Sequence, residues 1–146
     1  MAGFGFSETM RGTWARTDGR RGGGAFVFTV DVDSGPLGAF GKTRRAAITG
    51  TVDADGLASG RALTGTMELR PWIGRVIRYE FAFTGDDGAR YRFAGQKDIR
   101  WLDPVRSWTE LPGQVTDDAG AVVGNALTRF DLRGEGLPFV RSFHLA

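Results

Sequence analysis

The sequence predicts an all-β protein, a single antiparallel meander of eight or nine strands that closes into a barrel. Apolar and polar residues alternate with period 2 through segment after segment, as in half-buried strands. Most of the 23 glycines fall between these segments rather than in one linker, which favours many short connections. Nowhere do apolar residues recur at helical spacing over a dozen positions. Strands with one apolar face and no covering helix must close on themselves or pair as a sandwich.

A hairpin in the middle of the chain is the clearest pairing. Residues 76–84 alternate, and their large apolar members share one face: Ile77, Tyr79, Phe81 and Phe83. Residues 85–88 read Gly-Asp-Asp-Gly, and Asp-Gly suits the positive φ that a tight turn needs. Residues 89–95 alternate again, so two antiparallel strands are predicted here.

Four predicted strands precede the hairpin, at residues 4–14, 25–33, 43–53 and 61–69. The second is the cleanest, with its apolar residues on one face: Phe26, Phe28, Val30 and Val32. Residues 34–38 break the pattern, because Pro36 cannot donate to a central ladder. Glycines inside the strands, at positions 50, 65, 95 and 124, would permit the coiling that a small barrel needs.

Three predicted strands follow the hairpin, at residues 108–115, 121–132 and 139–145. In the second of them one face carries Val122, Gly124, Ala126, Thr128, Phe130 and Leu132. The 146 residues fit one domain, 1–146. We expect a calycin-like (lipocalin-like) barrel, which removes exposed sheet edges, and a β-sandwich as the second choice.

Composition excludes several kinds of site. The chain has no cysteine, which excludes disulfides, thiolate nucleophiles and cysteine-bound Fe–S clusters. A single histidine, His144, cannot form a histidine-based metal site. Residues 31–35 open like a calcium loop, but Pro36 stands where the turn glycine belongs and Lys42 where the bidentate glutamate belongs. With no phosphate loop, nucleophile elbow or dinucleotide fingerprint, we expect no metal and no cofactor.

Charge and hydropathy indicate which classes of partner, such as nucleic acid or membrane, are expected. The net charge is +2, and arginine supplies all but two of the 19 basic residues, scattered among acids as on a solvated face. The glycine-flanked pair Arg20-Arg21 is interpreted as a flexible charged loop, so no nucleic-acid partner is expected. No apolar run approaches the roughly 18 residues of a membrane helix. Without a signal-peptide pattern at the N-terminus, a cytoplasmic location is the expectation.

The predicted site is an aromatic-lined cavity inside the barrel, whose inward rows can either fill the space or line a cup. The predicted substrate-binding residues are Trp72, Tyr79, Phe81, Gln96, Arg100, Trp101, Trp108 and Phe130. Tyr79 and Asp98 are the catalytic candidates. The aromatic residues could equally be core, and the tryptophans could plug the barrel ends. Gln96, Asp98 and Arg100 share a face with outward arginines unless a bulge at Gly95 changes the phase.

Residues 95–104 read Gly-Gln-Lys-Asp-Ile-Arg-Trp-Leu-Asp-Pro, and Trp108 follows. With residues 6–12 and 122–127, this stretch resembles a small all-β segment attached to glucose–methanol–choline-type (cholesterol-oxidase-like) oxidoreductases and some α/β-hydrolases of actinobacteria and related bacteria. Gln96 stands where the resemblance leads us to expect a histidine, and no flavin or hydrolase domain is present. The resemblance implies a β-domain that works beside enzymes on lipid-like substrates, and it transfers no catalytic role.

Three functions follow as hypotheses. The first is binding of a hydrophobic small molecule, such as a lipid-, polyketide- or terpenoid-like compound, in a barrel cavity. The second is a cofactor-independent cyclase or isomerase of secondary metabolism that acts on such a substrate in the same cavity. The third is an accessory module that docks on an oxidoreductase. A second copy of the chain, as a homodimer, is another partner that the sequence leaves open.

Overall fold

The structure is a computed structural model that describes residues 3–70, 76–98, 109–130 and 144–145. Its elements, in chain order, are β1 (Phe4–Arg16), β2 (Gly23–Asp33), α1 (Leu37–Thr43), β3 (Arg45–Ala54), β4 (Ala58–Arg70), β5 (Val76–Thr84), β6 (Arg90–Asp98), β7 (Glu110–Asp117), β8 (Val122–Phe130) and β9 (His144–Leu145). Within these ranges no helix has the length and apolar character needed to cross a membrane.

The strands form a closed antiparallel barrel, as the sequence predicts. Each of β2 to β7 pairs with the next strand in the chain, and β8 pairs with β1. A ladder from Gly5↔Asp33 to Ala15↔Gly23 then joins β1 to β2, which closes the ring of eight strands. The short β9 lies beside Phe4 and Gly5 at the start of β1.

The two ends of the barrel differ in their connections. At one end, named here the turn end, connections of three to six residues join β1 to β2, β3 to β4, β5 to β6 and β7 to β8. Aspartate side chains accept hydrogen bonds from backbone N–H groups there: Asp87 from Ala89 at 3.0 Å, and Asp117 from Ala121 at 2.9 Å. Such bonds replace the ladder partners that a turn lacks, which explains the Asp-rich turn sequences.

The opposite end, named here the helix end, carries α1 between β2 and β3. The sequence predicts only a break in this place, and the structure has a short helix there within the all-β barrel. Pro36 is the N-cap of α1, and Arg44 ends it in the left-handed conformation at φ 58°. Seven residues span about two turns, too few for helical spacing to be recognised.

Alternation in β2 to β6 places the expected residues inside. Buried side chains on these strands include Phe26, Phe28, Val30, Val32, Ile48, Val52, Leu63, Met67, Ile77, Tyr79, Phe81 and Phe83. Gly50 and Gly65 are strand glycines at which a side chain would not fit. A Cβ at Gly50 would overlap the backbone oxygen of Thr29, and one at Gly65 would overlap that of Glu80. Both glycines therefore permit the neighbouring strand to approach closely.

The first residues of β8 differ from the expectation. Val122 is 39% exposed and Val123 is buried, because the register between β7 and β8 shifts between Val115 and Thr116. A bulge of this kind reverses the facing of the residues before it. The inward face expected for residues 122–132 therefore holds from Gly124 through Ala126 and Thr128, but it is wrong at Val122. Leu132 lies outside the described residues.

Aromatic rings fill the middle of the barrel. This aromatic cluster consists of Phe26, Phe28, Phe81 and Phe93. The Phe93 ring lies 4.9 Å from that of Phe81 and 5.4 Å from that of Phe26, centroid to centroid. A Cβ at Gly113 would lie 2.5 Å from the Phe93 ring, so the glycine makes room for it. An interior ligand would therefore have to lie beyond this cluster, toward one end of the barrel.

Candidate functional site

Three ionisable side chains lie inside the barrel between the aromatic cluster and the helix end. Glu8 is 8% exposed, Lys97 is 5% exposed and Tyr79 is 2% exposed. We name these three residues the interior polar cluster. A carboxyl and an amine are almost never buried to this degree unless they are paired. Their presence in an apolar interior makes this cluster the candidate functional site.

Glu8 enters the interior through the alternation of β1. Its neighbours on the same face are Phe6 and Met10, and it pairs with Val30 of β2. In the ring of eight strands, β1 stands opposite β5, with three strands between them on either side. The Tyr79 hydroxyl, on β5, donates a hydrogen bond to Glu8 Oε1. This bond therefore crosses the barrel from one wall to the other.

Tyr79 is held between Met67 on β4 and Gly95 on β6. Burial raises the pKa of the Tyr79 phenol well above its ordinary value, and the negative charge of Glu8 raises it further. The phenol therefore keeps its proton and serves as the donor to the carboxylate. The hydrogen bond offsets part of the cost of moving Glu8 out of water.

Lys97 lies two residues beyond Gly95 on the inward face of β6 and pairs with Ile77. Its Nζ stands 5.2 Å from the centroid of the Tyr79 ring, within the range of a cation–π contact. Burial lowers the pKa of the Lys97 amine, and the charge of Glu8 opposes this shift only in part. Lys97 therefore gives up its proton more readily than a lysine in water.

The remaining surroundings are mostly apolar. Buried or half-buried neighbours on the inward faces toward the helix end include Phe6, Val32, Leu69, Ile77, Leu111 and Phe130. Here the β6–β7 ladder stops at Gly95↔Gly113, although β6 runs on to Asp98 and β7 begins at Glu110. The stretch of β6 that carries Lys97 is thus bonded to β5 alone among the described strands.

The structure brings some of the predicted site residues together and separates others. Tyr79 is at the centre of the interior polar cluster, Phe81 belongs to the aromatic cluster, and Phe130 is half-buried against the core. Trp72, Arg100, Trp101 and Trp108 lie outside the described residues. Their predicted roles stay predictions.

Gln96 and Asp98 lie on the outer surface of β6. Gln96 accepts a hydrogen bond from Arg78 Nε at 2.9 Å and donates one to Asp98 at 2.5 Å. Both line an open outer groove of about 540 Å³. The β5–β6 ladder runs through Gly95 without a bulge, so the phase does not change there. Of the two facings left open by the sequence, the structure has the solvent-facing one for Gln96 and Asp98.

Sequence reasoning missed Glu8 and Lys97. The signal was present, because Glu8 stands in phase with Phe6 and Met10, and Lys97 stands in phase with Phe93 and Gly95. Charged residues are normally assigned to the solvent face, and that rule hides both. A strict reading of alternation through Gly95 would have found Lys97 inside.

The arrangement offers a carboxylate, a phenol and an amine at buried positions. These groups can hold a hydroxyl or carbonyl group of a ligand, since Lys97 and Tyr79 donate hydrogen bonds and Glu8 accepts them. Electrostatic and hydrogen-bond interactions are stronger in such a low-dielectric interior than at the surface. The same three groups can also pass protons.

Comparison with known proteins identifies no family for this chain. No protein-family model matches the chain, and no curated protein sequence matches it. A solved β-barrel, described as a de novo design of a fluorescence-activating barrel, is similar with a TM-score of 0.43. It is 16% identical, over 85% of this chain and 92% of that chain. So distant a likeness carries no argument about function. The likeness to segments attached to oxidoreductases and the calycin-like assignment stay predictions.

Proposed function

We propose that the protein binds a small, mostly apolar molecule at the helix end of the barrel and holds its polar group with Glu8, Tyr79 and Lys97. The observation that carries this proposal is the burial of a carboxyl and an amine, at 8% and 5% exposure, in a mostly apolar interior. Perturbed ionisable groups gathered in one place are typical of functional sites.

Stability alone is a poor account of this cluster. Removing a charged group from water costs several kcal/mol per ion, and apolar side chains of similar size are often as stable or more so. The Tyr79–Glu8 hydrogen bond and the contact of Lys97 with the Tyr79 ring offset only part of that cost. A role in recognition explains why such groups occupy core positions, because binding sites commonly trade stability for function.

The chemistry of the cluster defines the ligand. An apolar body would contact Leu69, Ile77 and the half-buried Phe130. A hydroxyl or carbonyl at its other end would reach the interior polar cluster. The aromatic cluster fills the middle of the barrel, so the ligand body would extend toward the helix end. Lipid-, polyketide- and terpenoid-like molecules with one oxygen group have this character.

A binding assay with matched variants tests the proposal. Naphthyl methanol and decanoic acid serve as apolar probes with one polar group, and their affinities are measured by fluorescence and calorimetry. Lys97→Met should weaken binding by about tenfold or more, since a hydrogen bond to a charged group is worth about 1.5–3 kcal/mol. Gln96→Ala, next in sequence but on the outer face, is the control and should bind as the unaltered chain does.

Equal affinity in the Lys97 and Gln96 variants would contradict the proposed site. Failure of both probes to bind the unaltered chain would contradict binding of this ligand class. Both variants are first compared by circular dichroism, so that a lost fold is not mistaken for a lost site.

One observation favours a second candidate, a cofactor-independent cyclase or isomerase. The Lys97 amine, whose pKa is lowered by burial, lies near the Glu8 carboxylate and the Tyr79 phenol. Together these groups can accept a proton from a substrate and return it. In that case Glu8→Gln should lower the turnover of an unsaturated ketone by a much larger factor than it lowers the affinity for that ketone. If the unaltered chain binds the ketone but does not turn it over, binding remains the proposed function. Docking on an oxidoreductase stays a prediction.

A further inference from the structure

We propose that Lys97 forms a reversible imine with an aldehyde or ketone group of a molecule bound at the helix end of the barrel. The inference rests on the proposed function and names the chemical class of its ligand, an apolar carbonyl compound. It is carried by geometry: a primary amine faces the barrel interior at 5% exposure, over the ring of Tyr79 and on the same interior site as the Glu8 carboxylate.

The reaction needs no partner beyond the carbonyl compound. The Lys97 nitrogen attacks the carbonyl carbon, and the electrons of the C=O double bond move to oxygen. The resulting carbinolamine loses water as the C=N bond forms, and both hydrogens of that water come from the amine. Hydrolysis by one water molecule reverses the sequence, so no oxidant or reductant is required.

The neighbours of Lys97 suit each stage of this reaction. Addition needs the unprotonated amine, and burial lowers the pKa of Lys97. The hydrogen-bonded Tyr79–Glu8 pair can relay protons to and from the carbonyl oxygen. A protonated imine carries one positive charge, which the Glu8 carboxylate can balance without a counter-ion from solvent.

The chain contains its own control for this chemistry. Its only two lysines are Lys97 and Lys42. Lys42 lies exposed in the last turn of α1, outside the barrel interior. An aldehyde that reacts by chance would label Lys42, whereas one that binds in the barrel would label Lys97.

Trapping with borohydride tests the inference. The full chain is incubated with naphthaldehyde, the imine is reduced to a stable secondary amine, and labelled peptides are quantified by mass spectrometry. We expect Lys97 to carry about tenfold more label than Lys42, because binding holds the carbonyl beside the amine. The same experiment in urea should remove the difference, since the unfolded chain exposes both amines.

A second ligand separates this inference from the proposed function. Naphthyl methanol has the same ring system but cannot form an imine, so its binding reports the site alone. Binding of the alcohol with equal labelling of the two lysines would overturn the imine and leave the proposed function in place. If the Lys97→Arg variant is still labelled selectively, at another amine, the proposed imine at Lys97 would also be overturned. No binding of either compound would overturn the proposed function itself.

Discussion

The two tyrosines of the chain occupy opposite ends of the barrel and make the same bond in different surroundings. Tyr91, at the turn end, donates to Asp87 at 2.7 Å, four residues away in sequence. Tyr79, toward the helix end, donates to Glu8, 71 residues away and across the barrel. Asp87 is exposed, whereas Glu8 is buried. Burial is the main cause that raises the pKa of both phenols.

The difference shows which polar groups the fold itself explains. Asp87 also accepts the backbone N–H of Ala89, so the Tyr91 bond helps to hold a turn while its carboxylate stays in water. Trp14 acts similarly at this end, since its Nε1 donates to the backbone oxygen of Asp55 at 3.2 Å. The Tyr79–Glu8 bond holds no turn and keeps a carboxylate out of water. Burial of the Glu8 carboxylate costs desolvation free energy and stabilises no turn, and for this reason we place the function at the helix end.

The largest expected effect comes from the aromatic cluster that separates the two ends. Phe93→Ala should lower the free energy of unfolding by about 3–5 kcal/mol, because a fully buried ring leaves a cavity that its neighbours cannot fill. Urea unfolding measures the change. Leu127→Ala, at an outward position that is 41% exposed, is the control and should stay within about 0.5 kcal/mol. A loss below about 1 kcal/mol at Phe93 would mean that the middle of the barrel is loosely packed.

The tyrosine pair sharpens the comparison directly. Tyr79→Phe should cost about 1–3 kcal/mol of unfolding free energy, because it leaves the buried Glu8 carboxylate without its donor. Tyr91→Phe should cost less, because the exposed Asp87 carboxylate regains water. Both are measured by urea unfolding at neutral pH. Equal losses of unfolding free energy in the two variants would show that the Tyr79–Glu8 and Tyr91–Asp87 bonds are energetically alike. That result would contradict the distinction between the two ends.

A smaller effect is expected in the pH dependence of stability. The pKa of Lys97 is lowered in the folded chain below the ordinary 10.5 that it has when unfolded. Between these two pKa values the unfolded state binds more protons, so the free energy of unfolding rises with pH and reaches its full value above 10.5. Lys97→Met should remove this rise. Urea unfolding across the alkaline range below pH 10.5 measures it.

Lys42→Met is the matched control for that experiment, because Lys42 is exposed and should leave the slope unchanged. Tyr79 acts in the opposite sense above pH 10.0, where the unfolded phenol loses its proton and the folded one keeps it. The comparison between the two lysine variants is independent of that effect, since both retain Tyr79. If the unfolding free energy depends on pH identically in the two variants, Lys97 would have to be exposed to water in the folded chain.

Much of the fold could be predicted from the residues alone. The hairpin of β5 and β6 was readable because its alternation is strict and its turn contains Asp-Gly. The inward rows of β2 and β5 follow from the same period. The bulge before Gly124 was not readable, because it depends on the register with β7 rather than on local residues. The helix α1 was too short to leave a periodic signal.

The site was only partly predictable. Tyr79 was identified, whereas Glu8 and Lys97 were missed. The sequence left the facing of Gln96 and Asp98 open, and the structure has both on the outer surface. A charged residue in an apolar row looks like an error in the alternation until its partner is known. Here the partner of Tyr79 comes from the opposite wall, 71 residues earlier in the chain.

The sequence by itself determined the strands, their order and most of their facing, because side-chain alternation and turn chemistry act between near neighbours. Only the tertiary structure decided that Glu8, Tyr79 and Lys97 meet inside the barrel. The free energy of a buried charge depends on which groups surround it, and closure of β1 against β2 and β8 sets those surroundings.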